Sequence, residues 1–336
     1  MSSNELIHHS VSLCQSTAEG STRQDFSVEE LLAARKNSWR DWLCSAGTEN
    51  LHISPDGEAY AATCRVGGVY GNVFQGRLEL PTQWIRCTKT WCMCGADMQL
   101  RKARIKAFQV RSTEPLPERK TEIAEPDWVS PTQEEAHRRF PKTVTWDLSR
   151  RCNYSCSYCH PSVSNHTDAH WTREKIWTAV DVIESRFCRG VASKWVFTGG
   201  EPTLNPSFME VVDRLAAAGH LLHVQSNGSL GPDYFARLAK KACIGLSLHL
   251  ESLNRERFLQ TVEAMLATGS PYWMGVRIMV PPGRSGEAVE MRDKLLRLPS
   301  ARERLNINMS PLYQRLNQDQ LQEYSKSELE LILQFA

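Results

Sequence analysis

Arg150-Arg151-Cys152-Asn153-Tyr154-Ser155-Cys156-Ser157-Tyr158-Cys159-His160 gathers three cysteines into one short loop, with three and then two residues between them. A four-iron cubane ordinarily takes four thiolates, so three leave one iron open to something other than protein. An open coordination position separates a reactive metal site from a structural one. Taken alone, the loop reads equally as a zinc knuckle or a set of buried free thiols. The flanking sequence narrows that choice. Thr143-Val144-Thr145-Trp146-Asp147-Leu148 is alternating and β-branched, as a strand is. The loop therefore leaves the C-terminal end of a first strand, where β/α barrels carry their catalytic loops. A helix-like stretch from Thr172 to Arg186 leads to a second strand, Lys194-Trp195-Val196-Phe197-Thr198, which ends in Gly199-Gly200-Glu201-Pro202. Two adjacent glycines let backbone approach a ligand closely.

A Cys-x3-Cys-x2-Cys loop after strand one and Gly-Gly-Glu-Pro after strand two resemble the radical S-adenosylmethionine (SAM) superfamily. The resemblance implies that Cys152, Cys156 and Cys159 hold a [4Fe–4S] cluster whose open iron chelates the SAM amino and carboxylate groups. It implies that Gly199, Gly200, Glu201 and Pro202 form the cofactor amino site and that Tyr158 lies beside the adenine. The chemistry that goes with it is reductive cleavage of SAM, with an electron from a flavodoxin or ferredoxin. The resulting 5′-deoxyadenosyl radical takes a hydrogen atom from an unactivated C–H bond.

Further strands are expected at Leu221 to Gly228, Ala242 to Leu250, Trp273 to Val280 and Leu305 to Met309, with helices between. The fold class is thus α/β, a partial (β/α)6 barrel over 143–336, open on one side as the resemblance implies. Polar residues near strand ends are candidates for lining the site: Asn227, Ser247, His249, Arg277, Asn306 and Asn308. By family analogy Ser247 meets the ribose, and the fork of Arg277 suits the methionyl carboxylate or a substrate acid. His249 reads more readily as a hydrogen-bonded barrel histidine than as a catalyst.

The chain has 336 residues, a formal net charge of +2, 41% hydrophobic and 23% charged residues, which suits a globular protein of one barrel and a smaller domain. No apolar run reaches membrane-spanning length and Met1 to Asp25 lacks a signal-peptide layout, so a cytoplasmic protein is expected. Residues 1–26 read as a polar N-terminal segment. Ser27-Val28-Glu29-Glu30 is a capping box, and Leu31, Leu32, Arg35, Trp39, Trp42 and Leu43 follow at near-helical spacing, predicting a helix into Cys44.

Eleven cysteines without export signals read as metal ligands in a reducing compartment. Cys44, Cys64, Cys87, Cys92 and Cys94 form a second group, in a region that predicts short strands about the Pro55-Asp56-Gly57 turn. So little core calls for a staple, which a metal could supply. Residues 27–111 resemble the twitch or SPASM module that holds an auxiliary [4Fe–4S] cluster, Cys44, Gly57 and Cys64 following its order. The module stands here before the barrel, and four of the five cysteines would suffice. A zinc site is the alternative, since four sulfurs suit either metal. Cys14, Cys188 and Cys243 are isolated and read as small apolar residues. Arg101, Lys102, Arg104, Lys106 and Arg111 form a basic run, read as a solvated face more readily than a phosphate contact. Prolines 115, 117, 126, 131 and 141 mark 112–142 as a linker.

Auxiliary-cluster relatives often act on peptides, which makes a peptide one candidate substrate. The layout also loosely resembles enzymes of bacteriophage DNA hypermodification, which implies an amino-acid-decorated thymidine rearranged from an N-linked to a C-linked form. An isomerase and an oxidoreductase both follow from an α-carbon radical. The alternative from a different class is a noncatalytic iron–sulfur or zinc protein that binds nucleic acid and senses redox state.

Overall fold

A computed structural model describes residues 10–17, 20–27, 34–92, 95–98, 100–103, 128–131, 140–160, 162, 164–314 and 320–335. The barrel strands fall where the hydrophobic pattern puts them: β11 (Thr143–Asp147), β12 (Lys194–Thr198), β13 (Leu221–Ser226), β14 (Cys243–His249), β15 (Met274–Val280) and β16 (Leu305–Pro311). They pair in parallel in that order. The helices α2 (Arg173–Ile183), α3 (Phe208–Ala217), α4 (Pro232–Ala239), α5 (Arg255–Ala267) and α6 (Ser285–Leu296) follow the first five of these strands, and α8 (Lys326–Leu333) follows the sixth. Two shorter helices are α1 (Gly95–Met98) and α7 (Ala301–Arg304).

Alternation along each strand sorts the side chains into two layers. Val144, Trp146, Trp195, Phe197, Val224, Leu246 and Ile278 are buried in one core against the helices. The opposite face carries Asp147, Thr198, Gln225, Ser247, Arg277 and Asn308, a polar lumen rather than a packed one. In a sheet covered on both faces these strands would be apolar throughout.

The barrel sheet does not stop at β11. A strand from the cysteine-rich region, β4 (Asn50–Ile53), runs parallel to β11 with Thr145 opposite His52. Antiparallel β5 (Glu58–Tyr60), β6 (Val69–Asn72) and β7 (Arg77–Leu78) complete a ten-stranded sheet. Gly57 makes the expected turn with φ 81, and a Cβ there would lie 2.1 Å from the Phe74 ring. Leu51, Ile53, Ala59, Val73 and Phe74 join the barrel core.

A second, six-stranded sheet has the order β2-β1-β10-β9-β3-β8. It comprises β1 (Ser10–Thr17), β2 (Gly20–Ser27), β3 (Leu43–Cys44), β8 (Ile85–Arg86), β9 (Lys102–Ala103) and β10 (Trp128–Pro131). The polar N-terminal segment thus supplies a hairpin, and the Pro-rich segment supplies a strand beside it. The helix expected to enter Cys44 is absent among the described residues 34–44. Arg35 (φ 52) and Asp41 (φ 70) take left-handed conformations that no helix accommodates, and Leu43–Cys44 is extended. Trp39 is nevertheless core, 2% exposed.

Candidate active site

The ends of β11 and β12 stay laced together beyond the strands. Leu148 N donates to Thr198 O (3.0 Å), Gly200 N to Ser149 O (2.8 Å) and Glu201 N to Arg151 O (2.7 Å). A Cβ on Gly199, at φ 117, would lie 2.6 Å from Ser149 O, and one on Gly200 would lie 2.4 Å from Arg151 O. The two glycines therefore let their own chain lie against the backbone that leads into Cys152.

Glu201 turns inward. Its carboxylate, 1% exposed, accepts from Thr203 N and Oγ1 (3.1 and 2.6 Å), Ser226 Oγ (2.8 Å) and Asn227 N (2.6 Å). Burial pushes its pKa up, while those donors oppose the shift. This side chain clamps the end of β12 to the end of β13, and Pro202 starts a 3-10 turn behind it. The clamp sets Asn227, whose amide reaches Asn153 Oδ1 (2.9 Å) and Cys152 Sγ (3.9 Å).

Cys156 is buried, and Cys152 and Cys159 are half-buried. Burial pushes the Cys156 thiol up to about 11, and the neighbouring Cys159 and Cys152 add to the rise. Cys152 is raised chiefly by burial, with Glu201 and Cys159 adding to it. The three thiols thus lie close enough to act on one another. Glu251 holds the loop by accepting from Ser157 N (2.8 Å) and Oγ (2.7 Å). Tyr158 stacks on His249 at 5.9 Å and its hydroxyl lies 2.6 Å from His249 Nδ1. Burial holds the His249 pKa down to about 4, so the ring beside that hydroxyl is neutral.

Ser247, Arg277 and Asn308 are neighbours across β14, β15 and β16. Arg277 is exposed in the lumen with Nε 3.4 Å from Asn308 Oδ1, and Asn306 is exposed on the same strand face. Sequence reading passed over a pair that faces this lumen: His52 Nε2 lies 3.0 Å from Asp147 Oδ2. Asp147 was legible as the last strand residue before the cysteine loop. His52 was not, because only the β4–β11 pairing brings it there.

In the N-terminal region Cys44, Cys87 and Cys92 are buried and Cys64 is half-buried. Burial lifts Cys64 to about 12, with Asp97, Cys44 and Cys87 adding to it. Cys92 is raised by burial and then by Asp97, Cys64 and Cys44. Cys44 and Cys64 pack in one small core cluster, and the four thiols lie close enough to act on one another. Cys94 and the side chain of Cys14 lie outside the described residues, whereas Cys188 and Cys243 are wholly buried singletons. Among the described residues no three Cys, His, Asp or Glu side chains stand close enough to share a single metal ion. That holds for the loop triad as well as for the N-terminal set. A cubane places its thiolates on separate irons, farther apart than the tetrahedral shell of one zinc at about 2.3 Å. The basic run divides: Arg101 pairs with Glu49 and Lys102 is buried, while Arg104, Lys106 and Arg111 lie outside the described residues.

Among the described residues no helix is long and apolar enough to cross a membrane. Residues 146–296 match the radical SAM superfamily. The mycofactocin maturase MftC of Mycobacterium ulcerans is 30% identical over 118 residues, 34% of this chain and 31% of that protein. The GTP 3′,8-cyclase of Stenotrophomonas maltophilia is 29% identical over 123 residues, 36% of this chain and 37% of that protein. Streptococcus suis SuiB bound to SAM superposes with a TM-score of 0.43 at 15% identity, covering 59% of this chain and 47% of that one. The chain spans about a third of the length of the curated relatives it matches. The matched segment, residues 146–296, contains both the three-cysteine loop and the laced Gly-Gly-Glu-Pro turn.

Proposed function

We propose that this chain is a radical SAM enzyme that removes a hydrogen atom from an amino-acid-bearing substrate. The observation that carries the reading is the backbone lacing of Gly199, Gly200 and Glu201 onto the loop that bears Cys152, Cys156 and Cys159. Three thiols on one short loop, with a turn of backbone beside them, suit a [4Fe–4S] cluster with one iron left to SAM. When bound, that pair supplies a 5′-deoxyadenosyl radical after one-electron reduction, for which a flavodoxin or ferredoxin is the proposed donor.

The protein's own residues position the partners. Gly199 and Gly200 offer backbone groups to the SAM amino group, Asn227 steadies Cys152 and its loop, and Tyr158 is held by His249 at the adenine side. Ser247 lies on the lumen face for the ribose, and the Arg277 fork suits a carboxylate of SAM or substrate. The N-terminal thiols of Cys44, Cys64, Cys87 and Cys92 form an auxiliary iron–sulfur site in this reading.

The substrate is an amino acid attached to thymidine, isomerised from an N-linked to a C-linked form, or a peptide that is crosslinked or oxidised. Relatives of the same domain include a protein named as a maturase and one named as a GTP cyclase. The deciding assay uses anaerobically reconstituted, reduced protein with SAM, glycine-bearing thymidine DNA and candidate peptides. Substrate-stimulated 5′-deoxyadenosine is expected, with a mass-neutral product for isomerisation or loss of two hydrogens for crosslinking. Cys156→Ala should abolish it while leaving the N-terminal iron bound. Full, reduced clusters that yield no 5′-deoxyadenosine would overturn the proposal.

A further inference from the structure

Lys102 belongs to the sequence's basic run, yet its side chain is 1% exposed. Its Nζ donates to three backbone carbonyls: Asp97 O at 2.7 Å, Leu100 O at 3.0 Å and Met98 O at 3.4 Å. The Trp39 ring lies 4.4 Å from the same nitrogen. Carbonyl dipoles and a ring face solvate an ammonium but do not neutralise it, and a buried charge without a counter-charge is costly. The neighbouring carboxylate, Asp97, is buried too and directs its oxygens elsewhere. It accepts from Cys64 N (2.8 Å), Thr63 N (3.2 Å) and Asn50 Nδ2 (3.4 Å).

The ladder places Lys102 directly opposite Cys44 in the antiparallel β3–β9 pair, and directly opposed residues project from the same face of a sheet. The lysine thus sits beside Cys44.

We infer that Lys102 is the built-in counter-charge of an anionic four-thiolate iron–sulfur cluster on Cys44, Cys64, Cys87 and Cys92, and holds its reduction potential up. This rests on the reading of these thiols as an auxiliary cluster site. An oxidised cubane core of charge +2 with four thiolates carries −2, and adding one electron makes it −3. A fixed positive charge beside the cluster therefore favours the reduced form. A lysine that merely caps the carbonyls of α1 would alter stability and leave the potential alone.

The test is a potentiometric titration followed by electron paramagnetic resonance. It uses the full chain with Cys156→Ala, so that the N-terminal cluster is the one observed. Lys102→Met should shift reduction at least tenfold toward the oxidised form, about 59 mV more negative for one electron. Lys102→Arg should stay close to the parent. Asp97→Asn should move the potential the opposite way and keeps the test alive if Lys102→Met does not fold. A loaded Lys102→Met with an unmoved potential would overturn the inference, as would an unmoved Asp97→Asn. Iron and sulfide content separates the two levels of argument: if Cys64→Ala loses no iron from the parent, the cluster site itself falls, whatever Lys102 does.

Discussion

A single methyl group at Gly199 or Gly200 would push the end of β12 off the loop that bears Cys152. An added Cβ would lie 2.6 and 2.4 Å from backbone oxygen at the two positions, and rotating a side chain cannot relieve such an overlap. Gly200→Ala should cost about 1–3 kcal/mol of stability, the usual range for overpacking, measured by urea unfolding. The SAM cleavage proposed for this chain should fall at least tenfold, because the turn is hydrogen-bonded directly to the backbone that leads into the thiol loop. The glycine pair was visible in the sequence as a backbone-approach signal. That the backbone approached is the cysteine loop, and that Glu201 faces inward, follows from tertiary hydrogen bonds no local pattern encodes. Lys102 makes the same point, since composition places a lysine outside and the ladder partner of Cys44 is inside.

Between elements, the contact of Tyr158 with His249 ties the cysteine loop to the end of β14. Because the folded ring is held near pKa 4 and an unfolded histidine titrates near 6.5, the unfolded chain binds a proton that the folded chain refuses. Stability should therefore fall as pH drops from about 6.5 to about 4, and level off for this group below that. His249→Gln should flatten that part of the pH profile in paired denaturant titrations. The barrel strands themselves were legible because each is a short run with alternating apolar residues between turn signals, and β11 to β16 appear in the expected order. The hairpin at Pro55-Asp56-Gly57 was equally legible, being local. Two features were not. Left-handed Arg35 and Asp41 interrupt a spacing that reads as helical, and β4 finds a second partner across most of a hundred intervening residues.

For the molecule as a whole, that second pairing makes the cysteine-rich region and the barrel share one sheet. Removing residues 1–142 would strip Leu51, Ile53, Val73 and Phe74 from the core and leave β11 as an unpaired edge, a template for aggregation. The 143–336 fragment should thus be insoluble, or should melt without a cooperative transition. A sharp thermal transition in that fragment would show that the barrel closes without β4.

The β4–β11 pairing also sets an order in time. During synthesis at about 5–20 residues per second, β4 waits on the order of ten seconds for its parallel partner to leave the ribosome. Cys64, Cys87 and Cys92 emerge within that interval and Cys44 just before it, all ahead of the loop that bears Cys152. The auxiliary cluster proposed for the first set of thiols would therefore have a window for assembly in which those thiols are available and the second set does not yet exist.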